Sequence, residues 1–294
     1  MFVQNIRNIC VVGAGQMGHQ IGMLCALGGY ETVIVDVNED ALKKADTLLQ
    51  SIMEKWVTKG KISEDAKDAA FSRLQFKTDL EDAATNADLV IEAVVEKLDV
   101  KRELFAKLDK ITPSHAILVS NSSTIVNSLI ADVTNRADKV CNMHFFYPPL
   151  VMDCVEVVMS DKTSDETAQT TMNVCKQIGR TGVLLRKEIS GFIANRILGA
   201  LQREAVHLYE SGIADYKDID VICRKALNHP IGPFELMDLS GIDVGYFVMQ
   251  QRYAETGDPQ DKPAACIEEK VKAGHLGRKT GKGFYDYAKE GVKN

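Results

Sequence analysis

The segment that most limits what this chain can fold into is Gly13-Ala14-Gly15-Gln16-Met17-Gly18. It follows a short apolar run, Asn8-Ile9-Cys10-Val11-Val12, that reads as a parallel strand. It opens a helical pattern over 16–27 that stops at Gly28-Gly29. Glycines serve many ordinary turns, so the strand–loop–helix context carries the meaning. The first glycine permits a tight turn, the second lets the backbone approach a pyrophosphate, and the third lets helix pack on strand. The helix N-terminus then attracts the phosphates. Asp36 stands eighteen residues past Gly18, at the end of a second strand, Thr32-Val33-Ile34-Val35-Asp36. A carboxylate there accepts hydrogen bonds from ribose hydroxyls and repels a 2′-phosphate, so NAD is favoured over NADP, with FAD the other dinucleotide this loop could take. A plain strand-end turn is the alternative role for Asp36.

Further strand patterns cover 88–94, 116–120, 140–146 and 154–159, alternating with helical patterns over 39–57, 64–74 and 98–111. That alternation predicts an α/β fold, a Rossmann-type doubly wound and mostly parallel sheet. From Gly191 onward the chain shows helices and loops without a buried strand, beginning with an amphipathic helix over 193–210. The expected organisation is an NAD-binding domain over 1–188 and an all-helical substrate and dimerisation domain over 189–294, reasonable for 294 residues. Net charge is −6 with no basic block, which argues against nucleic acid. No apolar run reaches the length of a membrane span. A strand pattern begins within eight residues of Met1, leaving no room for a signal peptide. The seven cysteines are scattered without a C-x-x-C pair, which suggests reduced thiols, a cytoplasmic setting and no metal site.

The second informative stretch runs from His144 through Pro148-Pro149 to Glu156. Its flanks, 143–146 and 155–158, are apolar enough to be buried strands or strand ends. A buried carboxylate needs a partner. A histidine within reach would keep a fixed ring orientation and form a general acid/base pair. A satisfied core histidine beside an unrelated glutamate is the bland alternative.

Taken with Ile91-Glu92-Ala93-Val94-Val95-Glu96, Ser120-Asn121-Ser122-Ser123, Gly191-Phe192-Ile193-Ala194-Asn195-Arg196, Asn228-His229-Pro230-Ile231-Gly232-Pro233-Phe234-Glu235 and the stretch from Leu276 to Tyr285, these motifs resemble one family across essentially the whole chain. The resemblance is to the short-chain L-3-hydroxyacyl-CoA dehydrogenases, in particular the bacterial 3-hydroxybutyryl-CoA enzymes. It implies that His144 is the acid/base and Glu156 its partner. Ser123 and Asn195 would complete the polar pocket, and Glu96 and Lys101 would contact the nicotinamide half of the cofactor. Lys279 would lie near the cofactor, and Lys59, with Lys55 one turn before it, would reach toward coenzyme A phosphates. It also implies a four-carbon acyl-CoA substrate and a homodimer through the helical domain. Bland readings stand beside these: a helix cap for Ser123, surface charges for Glu96 and Lys101, a solvated face for Lys55 and Lys59. His229 lacks a carboxylate at useful spacing and reads as structural. The family usually has asparagine where this chain has Tyr147, so that asparagine's cofactor role is not carried over. Longer acyl chains, a sugar-acid or imine-reducing dehydrogenase, and a non-catalytic NAD-binding module are the rival readings.

Overall fold

The computed structural model describes residues 5–287. It comprises two compact units, Met1–Phe192 and Ile193–Asn294.

The first unit is built on β1 (Asn8–Val12), α1 (Gly18–Leu27), β2 (Glu31–Val35), α2 (Glu39–Thr58), α3 (Glu64–Ser72), β3 (Leu74–Lys77), α4 (Leu80–Ala84) and β4 (Leu89–Glu92). It continues with α5 (Leu98–Ile111), β5 (Ile117–Ser120), α6 (Ser128–Ala131), β6 (Val140–Phe145), β7 (Cys154–Val158), α7 (Asp165–Gln177) and β8 (Thr181–Leu185). The strands form one sheet in the order β3-β2-β1-β4-β5-β6-β7-β8. All neighbours are parallel except β6 and β7, which run antiparallel. Order reverses between β1 and β4, the switch point where open α/β sheets place their ligands at the carboxyl ends of strands. The central strands β4, β5 and β6 are buried at every position, as a sheet covered on both faces requires. One apolar layer gathers α1, α2 and α7 over the sheet through residues such as Ile21, Leu49 and Val174; the other gathers α4, α5 and α6 through Ala84, Phe105 and Ile130.

Two strands depart from expectation. The helical pattern over 64–74 ends at Ser72, and Leu74–Lys77 leaves it as β3. β8 lies at the opposite edge, partly exposed along most of its length. The helix expected from residue 16 starts at Gly18, two residues later, because the phosphate loop extends through Met17.

The second unit holds α8 (Ala194–Glu210), α9 (Tyr216–Lys225), α10 (Pro233–Ser240), α11 (Ile242–Thr256) and α12 (Ala265–Lys272). Its core is aromatic, with Phe234 and Phe284 rings 4.7 Å apart and Tyr209 edge-on to both. Two wholly buried carboxylates, Asp220 and Asp238, are enclosed here. No described helix is long and apolar enough to cross a membrane, and the described residues contain no cluster that could hold a metal ion.

Candidate active site

The turn after β1 is shaped by its glycines. Gly13 has φ +107°, and a Cβ there would press on the backbone of Ala93; a Cβ on Gly18 would overlap the Gly13 carbonyl. Gly15 differs, since a Cβ would meet nothing within 4 Å. Gly15 and Gln16 are exposed at the tip, with Met17 half-buried behind them. Met17 caps α1 without any side-chain hydrogen bond, whereas α2, α3, α4, α7 and α9 each receive one from an asparagine, serine or aspartate. Open space before Gly15 and an uncapped helix start fit a dinucleotide pyrophosphate. Asp36 braces the same loop: Ala14 N–H donates to Oδ2 at 2.8 Å and Asn38 N–H to Oδ1 at 2.9 Å. A carboxylate has about four acceptor positions, so capacity for ribose hydroxyls remains. His19, absent from the sequence reading, is buried in the first turn of α1 and its Nδ1–H donates to the Gly15 carbonyl at 2.5 Å. Burial pushes its proton affinity down, which the hydrogen bond to Gly15 only partly opposes.

His144 and Glu156 face each other as a directly paired couple across β6 and β7. Both are 3% exposed, and His144 Nδ1 lies 2.8 Å from Glu156 Oε2. An ionised carboxylate only accepts, so Nδ1 carries the proton and Nε2 the lone pair. Phe146 sits edge-on to the imidazole at 4.7 Å and Phe192 tilts against it at 5.5 Å, fixing the ring from two further sides. The peptide bond between Tyr147 and Pro148 is cis, and the Tyr147 side chain is largely exposed.

Ser123 lies in an irregular loop between β5 and α6. It caps no helix, because α6 starts at Ser128 behind an Asn127 cap. The loop is gathered by Glu96, whose Oε1 accepts from the hydroxyl of Ser122, from Ser123 N–H at 3.1 Å, from Thr124 N–H at 3.2 Å and from Thr124 Oγ1–H at 2.9 Å. Burial alone would raise the Glu96 carboxyl; the charge of Lys101 and these hydrogen bonds outweigh it and hold the group below the ordinary carboxylate range. Lys101 is not a surface charge. It is 1% exposed, with its ammonium 2.6 Å from Glu92 Oε1 and 3.2 Å from Glu96 Oε2. Glu92, Ser122 and Thr124 went unassigned in the sequence reading. A glutamate at the end of an apolar strand was the available signal, since such a group must find a partner.

The remaining candidates are placed within their own units. Lys55 and Lys59 are exposed at the C-terminal end of α2. Asn195 is exposed in the first turn of α8, in the helical unit. Lys279 belongs to that unit too, its ammonium 2.7 Å from Asp243 Oδ2.

Two family models match the chain. The model described as "3-hydroxyacyl-CoA dehydrogenase, NAD binding domain" matches residues 8–189, and "3-hydroxyacyl-CoA dehydrogenase, C-terminal domain" matches residues 191–287. A probable 3-hydroxybutyryl-CoA dehydrogenase of Bacillus subtilis is 38% identical over 96% of this chain and 98% of its own. The human mitochondrial hydroxyacyl-coenzyme A dehydrogenase is 36% identical over 96% of this chain and 91% of its own. Among solved structures, (S)-3-hydroxybutyryl-CoA dehydrogenase from Ralstonia eutropha superimposes with a TM-score of 0.90 at 38% identity, covering 96% of this chain and 99% of that one.

Proposed function

This chain belongs to the 3-hydroxyacyl-CoA dehydrogenase family, NAD-dependent oxidoreductases acting on CH–OH, and on that premise we propose that it interconverts (S)-3-hydroxybutyryl-CoA and acetoacetyl-CoA. The observation that carries the reading is the buried His144–Glu156 pair, held by adjacent strands of the sheet that also bears the glycine loop.

The loop from Gly13 to Gly18 and Asp36 would hold NAD, which when bound would supply the hydride acceptor. His144 does the proton work. Its Nε2 lone pair takes the C3 hydroxyl proton as that hydroxyl is oxidised, and returns it in the reducing direction. Glu156 keeps the tautomer and stabilises the imidazolium that forms. Proton transfer of this kind is worth roughly 10²–10⁴ in rate. Ser123 holds the reacting oxygen in line, an orientation effect. The carboxylate of Asp36 disfavours the 2′-phosphate of NADP. Asn195 as a second polar contact, Lys279 near the cofactor, and Lys55 and Lys59 as phosphate contacts rest on the family resemblance. So does a homodimer, whereas a cytoplasmic setting rests on the scattered free cysteines. The helical unit adds support for the dimer in its exposed apolar side chains, among them Ile197, Ile222 and Phe247.

A longer acyl chain is the second reading, since the mitochondrial relative is named for hydroxyacyl-coenzyme A without a four-carbon limit. Steady-state oxidation of NADH with acetoacetyl-CoA, compared with NADPH and with a longer 3-ketoacyl-CoA, decides. Fastest turnover with NADH and acetoacetyl-CoA supports the proposal. Preference for the longer thioester replaces the substrate, preference for NADPH refutes the role of Asp36, and no thioester turnover refutes the reaction.

A further inference from the structure

We infer that Glu92 is a positioning residue that orients the Ser122–Thr124 loop, and with it Ser123, from the carboxyl end of the central strand β4. The inference rests on the role proposed above for Ser123.

Glu92 ends β4 in register with Val12 on one side and Ser120 on the other, and its side chain is wholly buried. Its two carboxylate oxygens start two separate arms. Oε1 accepts from Lys101 Nζ at 2.6 Å and from Val94 N–H at 2.8 Å. Lys101 continues to Glu96, and Glu96 collects the Ser122 hydroxyl, the Ser123 and Thr124 amides and the Thr124 hydroxyl. Oε2 accepts from Ser120 Oγ–H at 2.6 Å, and that same Ser120 oxygen accepts from Ser122 N–H at 3.1 Å. The Glu92 carbonyl accepts from Asn121 N–H at 2.8 Å. Apart from the bond to Val94, both arms from the Glu92 carboxylate therefore end on residues 122–124.

Stability does not explain this arrangement. A buried charge pair is often matched or bettered by apolar residues of similar volume, and hydrogen-bonded strand edges do not need one. What apolar residues cannot do is hold three consecutive loop residues at hydrogen-bonding distance from one anchor. The charge count makes Glu92 decisive. Two carboxylates share one buried ammonium. With glutamate at 92, Lys101 is divided between the two, and Glu96 keeps acceptor positions for the loop. With glutamine there, Lys101 turns wholly to Glu96, and the loop loses part of its anchor.

The test is Glu92→Gln in the full-length protein, with two independent readouts. The first is amide hydrogen exchange. Protection of the Ser123 and Thr124 amides falls about tenfold, as expected for one weakened hydrogen bond, while β1 and β5 stay protected. The second is kinetic: kcat with acetoacetyl-CoA drops about 10–100-fold, the scale of a small misplacement, and KM for NADH stays within about twofold of wild type. In a Ser123→Ala background the same substitution costs less than about threefold more, because the two act in series. Ser120→Ala cuts only the second arm, moves both readouts the same way by less, and carries the test alone if Glu92→Gln does not fold. Unchanged exchange at Ser123 and Thr124 overturns the inference, and so does a kcat loss that multiplies in full with Ser123→Ala. A wild-type protein inactive on acetoacetyl-CoA refutes the proposed reaction instead, and the exchange readout still decides the role of Glu92.

Discussion

Glu92 in the sheet unit and Asp238 in the helical unit are equally buried, but they are compensated by different kinds of group. Glu92 meets an ammonium, Lys101. Asp238 meets backbone and phenol: the amides of Phe284 and Tyr285 donate to it at 2.9 Å each, and the Tyr287 hydroxyl at 3.1 Å. Asp220 repeats the second solution with the amides of Phe234 and Glu235 and the Tyr285 hydroxyl. Among the described residues, no lysine or arginine pairs with either aspartate. The difference separates two uses of buried charge. Amide dipoles hold a carboxylate only while the chain keeps its path, so Asp220 and Asp238 define the path of the segment around Tyr285. Gly283 packs so closely on Asp238 that a Cβ there would overlap its carboxylate. An ammonium, by contrast, can be shared, and Lys101 passes the influence of Glu92 to Glu96 and on to a loop that bears a candidate catalytic serine.

If the sheet unit commits its polar interior to chemistry, His144→Asn, whose side-chain amide can still donate to Glu156, lowers turnover by about 10²–10⁴ while the melting temperature falls far less than for Asp238→Ala; turnover within tenfold of wild type breaks the comparison at its functional end. If the helical unit commits its own to architecture, Asp238→Ala orphans buried amides and costs at least about 3 kcal/mol, read from the denaturant midpoint. An unmoved midpoint breaks the other end. Gly15→Ala touches neither network. It weakens NADH binding roughly tenfold, about 1.4 kcal/mol, and leaves the melting temperature of the ligand-free protein unchanged, since its Cβ meets no atom.

The smallest effect is the sharpest, because its sign differs between the units. The Glu96 carboxyl is held below its ordinary 4.5, so its stabilising contribution is complete above that value and is lost as pH falls through the lower folded value. Asp220 is shifted the other way. Burial raises it above 3.8 despite hydrogen bonds from Phe234, Tyr285 and Glu235, so its ionisation is a penalty that falling pH relieves. Glu96→Gln therefore flattens the loss of stability on acidification below about pH 4.5, and Asp220→Asn steepens it. Melting temperatures across the acid range check both, and equal signs would erase the distinction.

The legible parts of this molecule were those where one residue type answers one local demand. The glycine loop, the apolar central strands and the α5 helix, expected and found over 98–111, are of this kind. β3 and β8 escaped because an edge strand buries less of itself: its Gln75 and Lys77, or its Thr181 and Gly182, dilute the apolar signal that marks β4 and β5. Within the site, the facing of His144 and Glu156 was readable because a short turn joins their strands. Glu92 was not, since its partner lies nine residues on and one helix turn inward. Sequence spacing showed Glu96 and Lys101 five apart, but not that a second glutamate shares the lysine.

The pairing of β6 with β7 sets His144 against Glu156, Met143 against Val157 and Phe145 against Val155. The acid/base couple is thus a cassette carried by a single hairpin, inherited or lost as one piece. A slip of two residues would oppose His144 to Cys154 or Val158 and leave no carboxylate, while a slip of one would turn the glutamate to the other face of the sheet. The connection 147–153 is held at its middle, where Leu150 is buried and Arg180 donates to the Pro149 and Leu150 carbonyls, but Tyr147, Val151 and Met152 lie exposed. Evolution can rewrite those three side chains while the proton-transfer couple passes unchanged from one descendant to the next.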